Sequence, residues 1–296
     1  MKNSFAPVIL FVYKRLLHTQ QTVDALKKND LSSHSELFIY SDGPSNNADK
    51  KQVEEVRDYL KIINGFKSVK IIERQENLGL AANIIDGVTE VVNLYGRVIV
   101  MEDDLVTSPF FLRFMNDSLN IYNDDEKVGC IHGYIYPIKN IKSDFFIKGA
   151  DCWGWATWAS AWSIFEPDGE VLFERAETAG YMNDPFNIKC GYVQMLKDQI
   201  SGKNNSWAVR WYFSSLLNNL YCLYPSTSYV VNIGLDDSGT HCVNTNIYDV
   251  QLQDQYSLKK IDVIESDENK RKFIDFHSKQ SGLINRIIGK LKRVYR

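Results

Sequence analysis

The sequence predicts an α/β fold in which helices flank a mainly parallel sheet. Strand-like and helix-like segments alternate through the first half of the chain, and a helix long enough for a crossover separates each strand from the next. Residues 98–101 form an uninterrupted apolar run, which is typical of a strand covered on both faces. Because crossovers of this kind join parallel strands, a mainly parallel sheet follows.

Four strands and three helices are predicted between residues 7 and 101. The strands cover residues 7–13, 36–40, 69–72 and 98–101. The helices cover residues 19–28, 49–62 and 80–94, and those at 19–28 and 49–62 place apolar side chains on one face. Residues 41–44 carry turn signals, and Ser108-Pro109 is a candidate start for a further helix.

Composition places the chain among ordinary globular proteins. It has 296 residues, of which 44% are hydrophobic and 24% charged, which suffices for one large domain or two small ones. The formal net charge of −3 provides no general basic field, so nucleic acid is not expected as a partner.

The cysteines and the apolar segments predict a cytoplasmic protein. Five cysteines are an odd number, and none forms a CxxC pair, which argues against a disulfide framework and a structural zinc site. The N-terminus lacks the order of a signal peptide, and no apolar run is long enough to span a membrane.

Three consecutive carboxylates, Glu102, Asp103 and Asp104, follow the apolar strand at 98–101. In a partly dry site they would repel each other and raise each other's pKa, unless a cation or hydrogen-bond donors neutralise them. A hard divalent ion with oxygen ligands is one such partner. The alternative is a solvated acidic turn that caps the next helix.

The ends of the other predicted strands carry polar side chains as well. Ligands of parallel sheets bind outside the carboxyl ends of the strands, so these side chains should share one crevice with the three carboxylates. The residues are Tyr13, Lys14, Arg15, Asp42, Gly43, Arg74 and Asn77. Mixed charges on one rim suit a phosphorylated ligand that is bridged by a metal ion. Taken singly, Arg15 also fits a solvated charge and Asp42-Gly43 a plain turn.

Four segments together resemble bacterial glycosyltransferases of the GT-A fold, which is Rossmann-like. They are residues 7–15, 41–43, 76–83 and 98–104, and the resemblance extends over about residues 5–245. The Glu-Asp-Asp variant of the Asp-x-Asp motif, followed by Ser-Pro-Phe-Phe, is similar to the N-acetylglucosaminyltransferase I family in particular.

This resemblance implies a nucleotide-sugar donor, such as a UDP-sugar, and Mn²⁺ or Mg²⁺ as cofactor. It implies that Asp104 binds the metal, that Glu102 and Asp103 hold the ribose and the donor sugar, and that Asp42 contacts the nucleoside. Asn83, in the segment 76–83, is placed with the donor-binding residues. A late histidine often binds metal or phosphate in such enzymes, and His241 corresponds to it.

All six tryptophans lie between residues 153 and 211. Flat aromatic rings stack on the apolar faces of sugars, so Trp153, Trp155 and Trp207 are predicted to bind a carbohydrate acceptor. Several are alternatively core residues, and Trp158 and Trp162 would then form one buried helix face. Residues 151–155 resemble the Gly-x-Gly-Trp loop of the same family.

The sequence departs from that family at the catalytic base. The family carries its catalytic aspartate in a Trp-Asp-Asp-Trp segment, whereas residues 207–211 here contain no carboxylate. Asp151, Asp236 and Asp237 are the candidate bases for an inverting reaction. Arg210 is interpreted as a contact for a phosphate or an acidic acceptor.

The chain beyond residue 245 is predicted to be a polar linker followed by a basic amphipathic helix. Residues 282–296 place five aliphatic side chains on one side and include five basic side chains but no acidic one. Such a helix can lie on an anionic membrane surface, or it can pack on the domain with its charges in water.

These observations predict a metal-dependent glycosyltransferase that uses a glycan or a lipid-linked glycan as acceptor, with a role in surface polysaccharide assembly. Two other hypotheses remain open. One is a nucleotidyltransferase that makes the sugar nucleotide, although no glycine-rich basic loop follows the first strand. The other is an inactive module that binds a sugar nucleotide or a glycan.

Overall fold

The computed structural model describes residues 5–236 and 246–279. Ten strands are assigned: β1 Val8–Val12, β2 Glu36–Ser41, β3 Ser68–Glu73, β4 Arg97–Glu102, β5 Leu105–Thr107, β6 Val128–His132, β7 Phe145–Lys148, β8 Trp155–Trp158, β9 Tyr221–Tyr224 and β10 Val230–Asn232. Eight of them form one sheet in the order β3-β2-β1-β4-β8-β6-β9-β7, and β5 pairs with β10 separately.

The helices lie mainly between these strands. They are α1 Leu16–Lys27, α2 Lys50–Leu60, α3 Leu80–Tyr95, α4 Phe111–Ile121, α5 Ala159–Trp162, α6 Gly169–Thr178, α7 Pro185–Lys189, α8 Tyr192–Ile200, α9 Trp207–Leu217 and a last helix, α10, over residues 267–279. The four strands and three helices predicted for the first half are confirmed, with ends that differ by at most three residues.

The predicted α/β fold is confirmed by the pairing of the strands. β1 pairs in parallel with β2 and β4, and β2 pairs in parallel with β3. The strand order therefore reverses direction between β1 and β4, and a crevice opens at their carboxyl ends at such a point. Beyond β4 the sheet is mixed, because β8 is antiparallel to both β4 and β6.

The pairing of β8 brings a second set of residues to the same edge of the sheet. Val100 of β4 lies opposite Trp155 of β8, so residues 151–153, before β8, lie beside residues 102–104, after β4. β6 runs antiparallel to β8 and β9 runs parallel to β6, so both strands also end at this edge. The carboxyl edge of the sheet thus extends from β3 to β9.

The tryptophan-rich region is largely core. Trp155, Trp158, Trp162, Trp207 and Trp211 are buried, and the ring of Trp155 stacks on that of Trp207 with centroids 5.4 Å apart. Trp155 and Trp207 therefore lie in the core, as the alternative interpretation of the tryptophans allowed. Trp158 ends a strand and Trp162 lies in α5, so these two do not share one helix face.

The segment 246–279 packs on the sheet rather than forming a free linker. The hydroxyl of Tyr134 donates to the carbonyl oxygen of Tyr248 at 2.7 Å. The backbone of Glu265 forms an isolated parallel β-bridge with Phe146 of β7, and Phe273 of α10 is 1% exposed. The basic segment at 282–296 lies outside the described residues, as does the boundary region at 237–245. Within residues 5–236 and 246–279, no helix has the length and apolar character to cross a bilayer.

Candidate active site

The three consecutive carboxylates form a turn between β4 and β5, which we call the acidic turn (residues 102–104). Asp103 and Asp104 are buried, whereas Glu102 is half-buried. Helix α1 fixes one side of the turn, because the hydroxyl of Thr22 donates to the carbonyl oxygen of Asp103 at 2.8 Å. The loop after β10 fixes the other side, because the amide of Ile233 donates to the carbonyl oxygen of Asp104 at 2.8 Å.

Arg15 supplies the counter-charge of the acidic turn. Its Nη2 atom contacts Oδ1 of Asp103 and lies 2.7 Å from Oδ2 of Asp104, so one guanidinium bridges both carboxylates. Arg15 directly follows the turn after β1, and the acidic turn follows β4, so the pair spans the reversal of strand order. The other terminal nitrogen of Arg15 and Oδ2 of Asp103 are buried and have no hydrogen-bond partner among the described residues.

Burial outweighs the guanidinium of Arg15 in its effect on the pKa values of the turn. Burial and the charges of Asp104 and Asp103 raise the pKa of Glu102 to about 8. Burial also raises the pKa of Asp103, to about 6, although the charge of Arg15 opposes the shift. Burial would lower the pKa of Arg15, but the two aspartates outweigh it and raise that pKa. Three carboxylates thus share one guanidinium, and a bound cation would favour their ionised forms.

The side-chain atoms of the acidic turn fit the ligand preference of a hard divalent ion. The turn offers oxygen ligands alone, and Oδ2 of Asp103 is a buried acceptor without a partner. The side chain of Glu102 is half-buried and makes no hydrogen bond or ion pair with another described residue. Within the described residues, however, no three His, Cys, Asp or Glu side chains converge closely enough to form a metal site by themselves.

Gly234 covers the acidic turn at very short range. A Cβ atom built on Gly234 would lie 2.2 Å from Oδ2 of Asp104 and 2.9 Å from Nη1 of Arg15. The backbone amide of Gly234 donates to Oδ1 of Asn232 at 2.8 Å, which holds the loop in place. Glycine is therefore required here by the close approach of the loop to the ion pair.

Gly234→Ala should push this loop off the acidic turn. Because the methyl group would overlap the carboxylate of Asp104, we expect a loss of about 1–3 kcal/mol in the free energy of unfolding, measured by denaturant titration. The carboxylate should also become more accessible to cations, so Mn²⁺ should stabilise the variant more than the wild type. Equal stability of the two proteins would contradict the contact.

Asp42 is occupied by the loop before α3. Its carboxylate accepts from the backbone amides of Gly43, Leu78 and Gly79, each at 2.9 Å, and from Nδ2 of Asn77 at 3.2 Å. The backbone of Gly43 packs directly on that of Glu76, and any Cβ there would lie 2.5 Å from its carbonyl carbon. Asp42 thus braces the loop 76–79, a role that sequence alone did not indicate.

Asp42→Ala should destabilise the protein strongly. The change leaves the amides of Leu78 and Gly79 without the acceptor they share, and each lost partner of this kind costs about 1–3 kcal/mol. We therefore expect a loss of about 3 kcal/mol or more in thermal or urea unfolding. Asp58→Ala is the matched control, because its carboxylate is 76% exposed and pairs with Lys61, so its effect should stay within about 0.5 kcal/mol. A similar loss in both variants would exclude the bracing role.

The other basic and polar residues predicted on the rim form hydrogen bonds and ion pairs with side chains of the fold. The guanidinium of Arg74 contacts Asp86, donates from Nε to Oδ1 of Asn83 at 3.1 Å and lies over the ring of Tyr40. The hydroxyl of Tyr13 donates to Oδ2 of Asp49 at 2.9 Å, and Nζ of Lys14 donates to its Oδ1 at 2.7 Å. These contacts shape the rim and anchor the amino end of α2.

Asp151 lies on the same edge as the acidic turn, among tyrosine hydroxyls. Its Oδ2 accepts from the hydroxyl of Tyr224 at 3.2 Å and from that of Tyr136 at 3.4 Å, while its Oδ1 accepts from the amide of Cys152 at 2.8 Å. His132 lies behind it, with Nε2 at 3.8 Å from Oδ1. Burial lowers the pKa of His132, and its Nε2 accepts from the amide of Trp153.

Cys152 lies between Asp151 and the acidic turn. The charges of Asp151, Glu102 and Asp104 all act on its thiol, and burial raises the pKa of that thiol. Glu102, Cys152, Tyr136 and Tyr192 are half-buried, so this part of the carboxyl edge keeps some exposed surface.

The other candidate bases and ligands have different positions. Asp236 is 48% exposed and lies 3.2 Å from Nε2 of His18. Asp237 and His241 fall outside the described residues. Arg210 is buried and donates to the carbonyl oxygens of Ser206 and Pro167 and to the side chain of Asn205, so it organises the start of α9. The interpretation of Arg210 as a phosphate contact is not supported by these bonds.

Comparisons with known proteins gave structural similarities at low identity. No protein-family model matches the chain, and no curated protein matches its sequence. The mannosyltransferase PcManGT from Pyrobaculum calidifontis, solved with GDP-Man and Mn²⁺, aligns over 45% of this chain and 37% of its own, with a TM-score of 0.29 and 13% identity. TarS of S. aureus aligns over 47% of this chain and 24% of its own, with a TM-score of 0.33 and 13% identity.

A third similar structure comes from Desulfovibrio desulfuricans G20 and is assigned as a nucleotide-diphospho-sugar transferase. It aligns over 56% of this chain and 69% of its own, with a TM-score of 0.35 and 13% identity. The aligned region thus spans well under half of the length of PcManGT and of TarS.

Proposed function

We propose that the protein is a glycosyltransferase of the GT-A type, which moves a sugar from a nucleoside diphosphate to a hydroxyl of a glycan or a lipid-linked glycan. One observation carries the proposal. The acidic turn, Arg15 and Asp151 share one edge of the sheet, where the order of the parallel strands reverses. This edge combines the groups that a charged leaving group and an acceptor hydroxyl require.

The donor side consists of the acidic turn and the residues around it. When the bond between the sugar and the diphosphate breaks, negative charge develops on the diphosphate, and fixed positive charge nearby stabilises it. Arg15 provides such a charge on this chain. Mn²⁺ or Mg²⁺, if held by Asp104, would supply the rest, and His241 is a candidate further ligand. Glu102 and Asp103 would then bind the ribose and sugar hydroxyls of a nucleotide such as a UDP-sugar.

Asp151 is the base that this geometry favours. In an inverting transfer, the acceptor oxygen forms a bond to the anomeric carbon and passes its proton to a carboxylate, while the nucleoside diphosphate leaves with the bonding electrons. Asp151 lies on the same edge of the sheet as the acidic turn, and the hydroxyls of Tyr136 and Tyr224 orient its carboxylate. Asp236 is more exposed and is paired with His18.

A panel of nucleotide sugars tests this function. We expect at least one of them, with Mn²⁺, to raise the melting temperature and then to release its nucleoside diphosphate slowly, because bound ligand stabilises the folded state. Stabilisation without release would favour the inactive binding module, which the bridging of both aspartates by Arg15 also allows. Release of pyrophosphate from a sugar phosphate and a nucleoside triphosphate would instead indicate a nucleotidyltransferase.

The cellular setting remains a prediction. Surface polysaccharide assembly on the cytoplasmic side of the membrane agrees with a glycan or lipid-linked acceptor, and contact with anionic lipid depends on the segment 282–296. Vesicle co-sedimentation of the full chain at low and high salt measures that contact separately from sugar transfer.

A further inference from the structure

A run of half-buried aromatic rings extends from Asp151 along the second half of the carboxyl edge. Neighbouring ring centroids along this run are 5.2–6.1 Å apart. The rings come from three separate parts of the chain, namely the loop before β8, the turn after β6, and the segment 246–279. We call them the aromatic strip: Trp153, Tyr248, Tyr136, Phe276 and His277.

A buried layer holds the aromatic strip in place. The ring of Tyr134, which is fully buried, lies 4.8 Å from that of Trp153, and its hydroxyl holds the backbone of Tyr248. Phe273, 1% exposed, packs 5.3 Å from the ring of Tyr136 and 5.4 Å from that of Tyr224. The buried layer fills the core, whereas the strip above it keeps exposed surface. Its rings are therefore positioned before any ligand arrives.

The strip leads directly to the proposed base. The hydroxyl of Tyr136, one of its central rings, donates to the carboxylate of Asp151 at 3.4 Å. Trp153 follows Asp151 by two residues and lies beside Glu102 by the register of β4 and β8. A ligand lying on the strip can thus bring a hydroxyl group to Asp151 while the donor occupies the acidic turn.

The strip itself carries little charge. Burial lowers the pKa of His277, which favours its neutral form, and burial raises the pKa values of Tyr136 and Tyr248. A phosphate or an acidic sugar would find no cationic side chain within the strip. An uncharged aromatic strip with polar atoms at one end instead suits a sugar ring, which has an apolar C–H face and hydroxyl groups around its edge.

We propose that the aromatic strip is the acceptor subsite and that it binds a neutral pyranose of a glycan, with the reacting hydroxyl toward Asp151. This inference rests on the proposed transferase function. It replaces Trp155 and Trp207, which are buried, by rings from the turn after β6 and from the segment 246–279. Trp153 was also predicted from the sequence to bind the acceptor.

Substitutions at Phe276 separate the effect of the aromatic ring on glycan binding from the effect of side-chain volume. Phe276→Leu keeps an apolar side chain but removes the ring, and Phe276→Tyr keeps the ring. Each variant of the full chain is applied to an array of neutral oligosaccharides, and affinity for the best oligosaccharide is then measured by tryptophan fluorescence. We expect Phe276→Leu to weaken binding by about tenfold, as loss of one stacking ring does, and Phe276→Tyr to stay within about twofold.

Phe66→Leu is the matched control, because Phe66 is also a half-buried ring but packs beside α2, away from the strip. Its glycan affinity should equal that of the wild type. The inference would be overturned if Phe276→Leu bound glycans as tightly as the wild type does, or if no oligosaccharide bound at all. Tighter binding of detergent micelles than of glycans would overturn it as well. Because glycan binding is measured without a donor, failure here is distinct from failure of nucleotide-sugar turnover.

Discussion

Arg15→Met is expected to lower the free energy of unfolding by about 3–5 kcal/mol. The substitution keeps much of the side-chain volume but removes the guanidinium that bridges Asp103 and Asp104, and two buried carboxylates then face each other uncompensated. For a domain of this size, a loss of this magnitude lowers the melting temperature by about 10 °C. Differential scanning calorimetry measures the shift directly.

Mn²⁺ should recover part of that loss in Arg15→Met. Once the guanidinium is gone, a divalent ion can bind the two uncompensated carboxylates and stabilise the folded state increasingly as its concentration rises. The wild type should respond less in the absence of a nucleotide, because Nη2 of Arg15 already contacts both Asp103 and Asp104. A variant that melts early at every Mn²⁺ concentration would show that the acidic turn is not a divalent cation site.

Arg113→Met is the control for this experiment. Arg113 also pairs with a carboxylate, with Nε 2.5 Å from Oδ2 of Asp30, but its side chain is 42% exposed. Exposed pairs contribute about 1 kcal/mol or less, so this variant should melt close to the wild type and should not respond to Mn²⁺. Identical melting of Arg15→Met and Arg113→Met would mean that the bridge is not formed in solution.

Asp151→Asn is expected to lower kcat for sugar transfer by about 10² or more. The amide keeps the shape of the side chain and one acceptor oxygen, but it cannot take the proton of the acceptor hydroxyl. Donor binding should be unchanged, because Asp151 lies outside the acidic turn. Steady-state kinetics together with nucleotide titration separate the two effects.

Two further variants define what an Asp151→Asn result means. Asp124→Asn, on an exposed loop after α4, should retain the wild-type rate. Asp236→Asn should retain most of it, since Asp236 lies near His18 rather than beside the tyrosines. If Asp236→Asn loses activity while Asp151→Asn does not, the base has been assigned to the wrong aspartate. If neither loses activity, NMR of the product will decide whether the anomeric configuration is retained.

The first half of the fold could be predicted because its signals are local. Apolar runs and amphipathic periods mark β1 to β4 and the helices between them, and the acidic turn follows from its position after β4. The bridge formed by Arg15 was not predicted, since its partners are 88 and 89 residues away in the chain. The bracing role of Asp42 likewise depends on amides 36 and 37 residues away.

The second half was harder to predict for the same reason. Residues 155–158 form a strand because they pair with β4 and β6, and no alternation of polar and apolar residues marks a strand buried in the middle of a sheet. The tryptophan density was interpreted as a binding wall, but most of those rings pack against each other between α5, α9 and the sheet. Asp151 could be named as a candidate base, yet its preference over Asp236 required the hydroxyls of Tyr136 and Tyr224.

A crystal structure with the nucleotide sugar identified by the panel, together with Mn²⁺, tests the central claim most directly. The diphosphate should lie beside Arg15 and the acidic turn, Mn²⁺ should contact Asp104, and the anomeric carbon should face Asp151. A nucleotide bound away from the carboxyl ends of β1 and β4, or a sugar that points away from Asp151, would contradict the claim.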